Sequence, residues 1–391
     1  MSLNELGPYF DNMASTPMDP RVLAVMLPLL QEPLVCANPS AVTHAHGQYA
    51  GGLVQDATQE AALALDADPA SLTWTSGASE SIQLALVGAA HAYQRQGKHI
   101  VSMSTEHKAS LAVLDRLKQE GFTVTLLNPE STGVLSLSAL EKAIQADTIL
   151  VSIMHVNNET GVIQPIREIA KICRKKGALL HVDAAQSLGK VPFSLRELDA
   201  DLVSMSMHKC YGPKGVGLLY QRQKPLVQLE PQILGGNQQG LRAGTLPTPT
   251  LVAGSKAICL AQEEQAKDAL HAASCMAMIE EGLRCLPGIH RNSTVCVPQC
   301  LSIHIEAVDI SSVLAMCFDI ALATGSACNA TTKLPSHVLM AMGFDTHRAH
   351  HSLRISVGRF TRKEECAVLV ERLSSAIVQL RGWSPSKESG S

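Results

Sequence analysis

Short apolar runs alternate with longer amphipathic stretches between about residues 72 and 220. The runs contain four to seven β-favouring residues, as in TILVSIM at 148–154, and predict strands, whereas the stretches between them predict helices. Strands that are separated by single helices imply right-handed crossovers and a mostly parallel sheet. Because the strands are almost continuously apolar, we expect helices to cover both faces of that sheet.

The pattern predicts the following strands in this region: 72–75, 99–104, 123–127, 148–154, 179–183, 202–207 and 215–220. The predicted helices are 79–96, 108–120, 137–145 and 165–176. After about residue 250 the pattern changes to a long helical stretch, 251–286, and a second set of elements. These are strands at 301–305, 320–324 and 353–357, and helices at 310–318, 334–343 and 363–380.

The change of pattern near residue 250 suggests two domains, which a chain of 391 residues is long enough to form. We expect an α/β fold with a large domain over residues 15–261, built on a mostly parallel central sheet. A smaller C-terminal α/β domain is expected over residues 262–391, and the N-terminal segment 1–14 is expected to join the two.

Charge and composition narrow the classes of partner. The formal net charge is −3 with both signs scattered along the chain, and aromatic residues make up 3%. These values argue against direct binding of nucleic acid or an anionic membrane surface. No apolar run reaches the roughly 18 residues of a membrane span, and the first residues lack the pattern of an export signal. We therefore expect a cytoplasmic protein.

The chain has eleven cysteines and no CxxC pair. In a cytoplasmic protein, such cysteines are usually free thiols that pack as small apolar residues. Cys296, Cys300 and His304 lack a fourth ligand at a customary spacing, so we expect no metal site. Four cysteines lie within predicted helices and fit the packing interpretation: Cys173, Cys259, Cys317 and Cys366.

Polar residues at the carboxyl ends of the predicted strands are candidates for a site, because parallel sheets bind ligands at that edge. One such cluster is weak evidence, since strand ends are commonly polar. Five clusters with complementary chemistry are harder to dismiss. They are Ser76–Ser79, Glu106–His107, Asn157–Glu159, Asp183–Gln186 and His208–Lys209.

Three of these clusters suggest a phosphorylated, ring-shaped cofactor. SGASES opens a helix after a strand, which makes either an anion site for phosphate or an ordinary helix cap. Asp183 ends a buried strand, where it either pairs with a protonated ring nitrogen or forms a cap or salt bridge. His107 either stacks on a planar cofactor and moves protons or serves as a structural cap.

Two residues could act as nucleophiles. Lys209 follows a buried strand, and desolvation there would favour the neutral amine that forms a Schiff base. The competing Lys214 lies in a Gly-Pro-Lys-Gly turn and is expected to be solvated. Cys328 lies in TGSACNATTK, a small, polar stretch over 324–333 whose composition predicts an exposed loop, so its thiol is either a nucleophile or an incidental surface group.

An arginine in the last predicted strand is the candidate for binding a carboxylate. Arg354 has apolar neighbours in SLRISVGRF, so its guanidinium needs an anionic partner. That partner is either the α-carboxylate of a substrate or an acidic side chain of the protein. Arg359 is the second candidate for the same role.

The chain resembles the class V, fold-type I pyridoxal-phosphate enzymes, and more narrowly the bacterial cysteine desulfurases of iron–sulfur assembly and nitrogen fixation. The resemblance runs from YFDNMASTPMDPRV to LRISVGRFT. The motifs NPSAVTHAHGQ, TSGASES, TEHK, HVNNETG, HVDAAQ, HKCYGPKGVG, LRAGT and GSAC follow in the family's order. GSAC together with HK-YGPKG is the most discriminating pair.

The resemblance implies pyridoxal 5'-phosphate as the cofactor, bound covalently by Lys209. Asp183 would pair with the ring nitrogen, Gln186 would hydrogen-bond the phenolic oxygen, and His107 would stack on the ring and move protons. Asn158, beside the cofactor, would hold the substrate carboxylate together with Arg354. The residues around the phosphate would be Ala78, Ser79, Ser206, His208 and, from the partner subunit of a homodimer, Thr245.

In this resemblance Cys328 would attack the sulfur of L-cysteine, become a persulfide and leave L-alanine as the product. A sulfur-acceptor protein, either an iron–sulfur scaffold or a tRNA-thiolation relay, would then receive the sulfur. The chain departs from the family in having Gln239 where an Arg is usual, no charge from Gln232 to Gln239, and Cys210 beside the lysine. Alternative interpretations are a selenocysteine lyase, a non-catalytic sulfur-relay scaffold and a true aminotransferase.

Overall fold

The computed structural model describes residues 7–31, 36–324 and 334–383. The strands are β1 (Leu72–Thr75), β2 (His99–Met103), β3 (Thr123–Leu127), β4 (Thr148–Met154), β5 (Leu179–Asp183), β6 (Leu202–Ser206), β7 (Gly217–Gln221), β8 (Ile289–Arg291), β9 (Cys300–Ile305) and β10 (Ser352–Ser356). The helices are α1 (Pro20–Gln31), α2 (Ala45–Ala64), α3 (Ala78–Tyr93), α4 (Lys108–Gln119), α5 (Leu137–Ala143), α6 (Ile166–Lys176), α7 (Leu195–Leu198), α8 (Thr248–Glu263), α9 (Gln265–Leu283), α10 (Ile310–Met316), α11 (His337–Ala341), α12 (Thr346–His350) and α13 (Lys363–Trp383).

The central sheet has seven strands in the order β1-β7-β6-β5-β4-β2-β3. The pairs from β3 to β6 are parallel, and β7 pairs antiparallel with both β6 and β1. Strand β1 therefore runs in the same direction as β6, and β7 alone is reversed. As a result, the carboxyl ends of six strands meet at one edge, which confirms the mostly parallel α/β sheet expected from the sequence.

Helices cover both faces of this sheet, as the continuously apolar strands require. On one face, Val22 of α1, Ile169 of α6 and Leu251 of α8 belong to the same core as Val182 of β5. On the other face, α3 and α4 pack over the sheet in a second core that includes Leu86 and Leu117. The edge strand β3 is covered less than the inner strands, because its five residues are all exposed or half-buried.

Two buried histidines tie neighbouring strands together through side chains. His181 of β5 contacts the hydroxyl oxygens of Ser152 and Ser204, on the strands at either side, at 2.9 Å each. His99 of β2 contacts the hydroxyls of two threonines on β4 and β3 in the same way. Hydroxyl partners satisfy both ring nitrogens without any charge, so these rings are suited to remain neutral.

A glutamine from a loop forms hydrogen bonds with the main chain of the edge strand β1. Gln238 accepts a hydrogen bond from the Trp74 main-chain N–H at 2.6 Å and donates one to the Trp74 carbonyl at 2.9 Å. The Leu72 N–H, which ends the preceding turn, donates to the carbonyl of Pro69. The uncharged stretch from Gln232 to Gln239 thus contributes main-chain partners to the outer edge of the sheet.

The last part of the chain forms a smaller α/β unit. Strands β10, β9 and β8 make an antiparallel sheet, against which α9, α10 and α13 pack. Phe10 of the N-terminal segment is fully buried in the same core. The expected domain boundary at 261–262 stays a prediction. Ala261 belongs to the core of the central sheet, and Ala272 belongs to the core of the smaller unit.

Several expectations from the sequence were wrong in detail. The predicted strand at 320–324 forms only isolated bridges, of Ala321 with Tyr9 and Ala323 with Arg354. The helical stretch 251–286 is two helices that break at Glu264. The pattern did not indicate α2, which is rich in alanine and glycine. Its Gly47 lies so close to the carbonyl of Ala41 that a side chain would collide with it.

The apolar helices pack inside the protein. Among the helices of the described residues, none combines the length and hydropathy needed to cross a lipid bilayer.

All ten cysteines in the described ranges are free thiols, and six of them are buried. Cys173, Cys317 and Cys366 are buried as the packing interpretation expects, and Cys259 is half-buried.

We expect the protein to lose stability as the pH falls below about 6.5. Burial lowers the pKa of His155 to about 4 and that of His181 to about 3. In that window the unfolded chain binds protons that the folded chain does not, so stability decreases by about 1.4 kcal/mol per pH unit for each such histidine. Urea unfolding at pH 7.5, 6 and 5 measures the effect.

The variant His181→Asn should be less stable at pH 7.5 and should depend less on pH, because one of the buried groups that titrate has been removed. His350→Asn, at an exposed position, is the matched control and should keep the slope of the unmodified protein. Equal slopes for all three proteins would show that His181 does not contribute.

Candidate active site

A cavity of about 430 Å³ opens at the edge of the sheet where the strands end. Strands β1, β2, β4, β5 and β6 each deliver residues to its wall through the segment that follows them. Nine of the residues singled out from the sequence line it: Ala78, Ser79, His107, Asn158, Asp183, Gln186, Ser206, His208 and Lys209. Their assignment to individual roles stays a prediction.

The amino terminus of α3 forms one wall. Its cap, Gly77, has φ of 152°, a conformation that favours glycine, and no side chain caps the helix there. The main-chain N–H groups of the first turn, at Ala78 and Ser79, therefore remain available to an anion. Glu80 accepts the N–H of Ser76 at 2.7 Å and pairs with Arg242, which holds this turn in place.

Asp183 lies at the end of β5, the central strand, and its side chain is 3% exposed. One carboxylate oxygen accepts the N–H of Ala185 at 2.9 Å. Within the described residues, no hydrogen bond reaches the other oxygen, although the residue lines the cavity. A buried carboxylate needs a positive or hydrogen-donating partner, and a protonated ring nitrogen is one.

Glu106 is a second buried carboxyl beside this site. One of its oxygens accepts the N–H of Met154 at 2.8 Å, and the other has no partner in the described part of the chain. Burial, and to a smaller extent the charge of Asp183, raises the pKa of Glu106 well above its usual value. Burial therefore favours the protonated, uncharged form of Glu106.

Gln186 has one partner and one open position. Its Nε2 donates to the Met13 carbonyl at 2.7 Å, whereas its buried Oε1 has no hydrogen-bond partner among the described residues. An orphaned buried oxygen is costly. A hydroxyl group on a ring in the cavity would satisfy it, so this observation agrees with the presence of a hydroxylated ring.

The two histidines of the site are held in the neutral form. Burial and then the charge of Lys209 lower the pKa of His107, and the same two causes lower the pKa of His208 to about 4. The Nδ1 atom of His107 accepts the N–H of Ala109 at 3.1 Å and caps α4. The mobile proton of His107 is consequently on Nε2.

Lys209 is half-buried in the single turn that follows β6, whereas Lys214 is exposed in the next turn. Both lysines line the cavity. The difference in exposure is the one that the sequence suggested, and it favours Lys209 as the reactive amine.

Arg354 and Arg359 have different surroundings. The Arg354 side chain is 2% exposed, donates to the Asn158 carbonyl at 2.6 Å and pairs with Asp11 at 2.6 Å. Arg354 thus contacts Asn158, which lines the cavity, but it is not itself among the lining residues. Arg359 pairs with Asp19 and Asp268 at 2.7 Å each, which makes it part of a structural ion network rather than a free carboxylate site.

Cys328 lies outside the described residues. The described residues on either side of segment 325–333 contact the site. Ala323 exchanges main-chain hydrogen bonds with Arg354. At the other end, His337 contacts the Glu106 carbonyl at 3.0 Å, and Ser336 donates to Glu159. The described residues that flank this segment in the sequence therefore contact Arg354 and Glu106, which are next to the cavity residues Asn158 and His107.

These features define the class of the protein. A buried carboxylate, an orphaned amide oxygen, a half-buried lysine and an uncapped helix terminus surround one cavity. Together they match the charges and hydrogen-bonding groups of a phosphorylated pyridine aldehyde. Thr245 is exposed and is not among the residues that line this chain's own cavity. The site is that of a pyridoxal-phosphate enzyme of fold type I.

Comparison with known proteins identifies the family. The chain belongs to the Aminotransferase class-V family, whose pattern matches residues 8–369. Cysteine desulfurase IscS of Vibrio vulnificus (strain YJ016) is 44% identical over 380 residues, 96% of this chain and 94% of the relative. A solved NifS-like protein matches with a TM-score of 0.89 at 34% identity, over 96% of this chain and 100% of that chain.

A second solved structure, SspA in complex with cysteine, matches with a TM-score of 0.80 and is 34% identical. The match covers 91% of this chain and 100% of SspA. Relatives of this identity over nearly the whole chain extend the resemblance seen in the motifs to the entire fold. The chain is a pyridoxal-phosphate-dependent enzyme.

Reasoning from the sequence missed two polar residues of the site. Asp11 pairs with Arg354, and Lys190 donates to the Lys209 carbonyl at 2.8 Å. Asp11 lies in an N-terminal segment that has little periodicity and gives no signal of its position. Lys190 could have been noticed as a lone lysine in the otherwise uncharged stretch AAQSLGKVPFS.

We expect Glu106→Gln to fold as stably as the unmodified protein, within about 1 kcal/mol, because burial favours the uncharged form of Glu106. Glu106→Leu should lose about 1–3 kcal/mol, since it removes the acceptor of the Met154 N–H. Urea unfolding at pH 7.5 compares the three proteins. If Gln is as destabilising as Leu, Glu106 is ionised and the assignment of its protonation state is wrong.

Proposed function

We propose that this protein is a cysteine desulfurase that takes sulfur from L-cysteine, leaves L-alanine and carries the sulfur as a persulfide on Cys328. The observation that carries the proposal is the meeting of Asp183, Gln186 and Lys209 at one cavity. The IscS relative and the SspA complex with cysteine support the choice of substrate.

Each wall of the cavity has a part in holding the cofactor. The N–H groups at Ala78 and Ser79, with Ser206 and His208, would bind the phosphate. Asp183 and Gln186 would hold the ring nitrogen and hydroxyl, and the amine of Lys209 would bind the aldehyde. When bound, pyridoxal phosphate withdraws electrons from the substrate and so makes its bonds to hydrogen and sulfur easier to break.

The side chains of this protein then orient the substrate and move protons. In the proposal the guanidinium of Arg354, fixed by Asp11, binds the α-carboxylate together with Asn158. The Nε2 proton of His107, whose Nδ1 is occupied by the helix cap, is available for transfer at the ring face. The amine of Lys209 would accept a proton from the substrate carbon.

The sulfur-transfer step conserves atoms and electrons without an external oxidant. The Cys328 thiolate attacks the substrate sulfur, a sulfur–sulfur bond forms, and the carbon–sulfur bond breaks with its electron pair on carbon. A proton added to that carbon gives alanine, and Cys328 carries the additional sulfur atom. A thiol of a sulfur-acceptor protein, an iron–sulfur scaffold or a tRNA-thiolation relay, then attacks the persulfide and restores the Cys328 thiol.

The free thiols of the described chain suit a reducing compartment such as the cytoplasm. A cytoplasmic address is therefore part of the proposal. The arrangement also gives no support to the scaffold interpretation, because a subunit without catalysis has no need for an acid, an amine and a histidine at one cavity.

Replacing Cys328 tests the nucleophile. With a reductant present, the unmodified protein should release sulfide and alanine in equal amounts from L-cysteine. Cys328→Ser should lose both products about a hundredfold or more, because the attacking sulfur is missing, while the visible absorption of its cofactor is kept. Cys285→Ser, at an exposed cysteine, is the matched control and should behave like the unmodified protein.

If Cys328→Ser is as active as the unmodified protein, the nucleophile is wrong and the aminotransferase interpretation gains support. The same assay with L-selenocysteine separates the lyase interpretation. A desulfurase should process both amino acids with dependence on Cys328, whereas a selenocysteine lyase should reject L-cysteine.

A homodimer with shared sites is also part of the proposal, with Thr245 reaching the partner's phosphate. When the cofactor is limiting, the Thr245→Val variant should bind pyridoxal phosphate about tenfold more weakly, because it loses one hydrogen bond to a charged group. Lys209→Ala chains should be inactive alone. Mixing the two variants should restore activity, since one site of each mixed dimer then has both residues. No restoration would place Thr245 outside the partner's site.

A further inference from the structure

Lys190 is a second lysine beside the active-site lysine, and the roles given above do not use it. It lies in the turn after Gln186, and its side chain is 6% exposed. Its Nζ donates a hydrogen bond to the main-chain carbonyl of Lys209 at 2.8 Å. A lysine at this depth without a carboxylate is unusual, because burying an ammonium group is costly.

The charged and titratable groups that face Lys190 do not neutralise it. They are Cys210, Cys300 and Lys209, and burial raises the pKa of the two thiols to about 11 and about 12. No ion pair joins Lys190 to an acidic residue within the described ranges. Burial lowers the pKa of Lys190 itself to about 8, so at pH 7 it still carries its positive charge.

Other titratable groups of the described residues line the cavity together with Lys209. His107 and His208 are neutral for the reasons given above, and Lys214 is exposed, so water screens it. Asp183 lines the same cavity. Lys190 is therefore a buried positive charge that reaches Lys209 through the protein interior, where such interactions are strong.

We propose that Lys190 is a positioning residue for Lys209: it fixes the main chain of the turn through the carbonyl, and its charge favours the neutral, reactive amine of Lys209. A neighbouring cation is a known way to activate a lysine amine. The inference rests on the proposed function in taking Lys209 as the residue that binds the cofactor. It adds a residue that acts on Lys209 and does not touch the substrate.

Two substitutions in the full-length protein separate the charge from the hydrogen bond. Lys190→Met removes both, whereas Lys190→Gln removes the charge and keeps a donor that can face the Lys209 carbonyl. Lys171→Met, an exposed lysine on α6, is the control. The first readout is the pH midpoint of the visible absorption of the bound cofactor. The second is the pH dependence of Lys209 acetylation in the protein stripped of cofactor, followed by mass spectrometry.

Both readouts should shift upward by about one pH unit in Lys190→Met and Lys190→Gln, because a nearby positive charge no longer opposes protonation. Reattachment of pyridoxal phosphate should slow about tenfold in Lys190→Met only, since the turn loses its fixed carbonyl. Lys171→Met should match the unmodified protein. A purely structural role of Lys190 would change stability without moving either midpoint.

The inference is wrong if the Lys190→Gln variant has the same pH midpoints as the unmodified protein. If Lys190→Met does not fold, the result for Lys190→Gln decides alone. Borohydride reduction followed by mass spectrometry keeps the two proposals apart. A pyridoxyl group found on Lys209 with unmoved midpoints refutes the role of Lys190 only. A pyridoxyl group absent from Lys209 in the unmodified protein refutes the assignment of Lys209, on which the proposed function depends.

Discussion

The Asp183 carboxylate is buried at the end of the central strand, and much of the site can be understood from the need to balance it. Six strands that run in one direction bring their ends to the same edge, so groups far apart in the sequence face this charge. Burial raises the pKa of the neighbouring Glu106 carboxyl, which favours its uncharged form. Two lysines, Lys209 and Lys190, lie on the segments that follow β6 and β5. The polarity of the cavity is thus set before any ligand enters.

Hydrogen bonds between uncharged side chains, rather than ion pairs, join the strands of the central sheet next to this edge. The sheet uses histidine and hydroxyl side chains to join adjacent strands, as at His181, and these groups are fully buried. Ion pairs such as those of Arg359 are placed at the junction with the smaller unit instead. The separation keeps these ion pairs away from Lys209, the proposed catalytic lysine, because the protonation state of an amine depends on neighbouring charges.

The sequence predicts the sheet well because its strands are buried on both faces and leave a continuous apolar pattern. The same rule, polar residues after strands, found eight of the nine residues with assigned roles that line the cavity, and the ninth, Ser206, came from the family resemblance. It could not find Asp11 or Lys190, since their contacts depend on how distant segments meet. It was wrong about 320–324, where the apolar residues are explained by packing against the N-terminal segment and β10 rather than by a strand. Helix α2 was missed because alanine and glycine leave little amphipathic pattern.

The side chain of Gln238 on the outer edge of β1 has a consequence for association. Open sheet edges expose main-chain groups that can recruit a strand from another molecule. Here the outward N–H and carbonyl of Trp74 are already taken by the glutamine amide, and the Leu72 N–H is taken by Pro69. A charged side chain could repel an incoming strand, but a glutamine imitates one and occupies its place. The uncharged loop therefore protects this edge of the sheet from pairing with the sheet edge of another molecule.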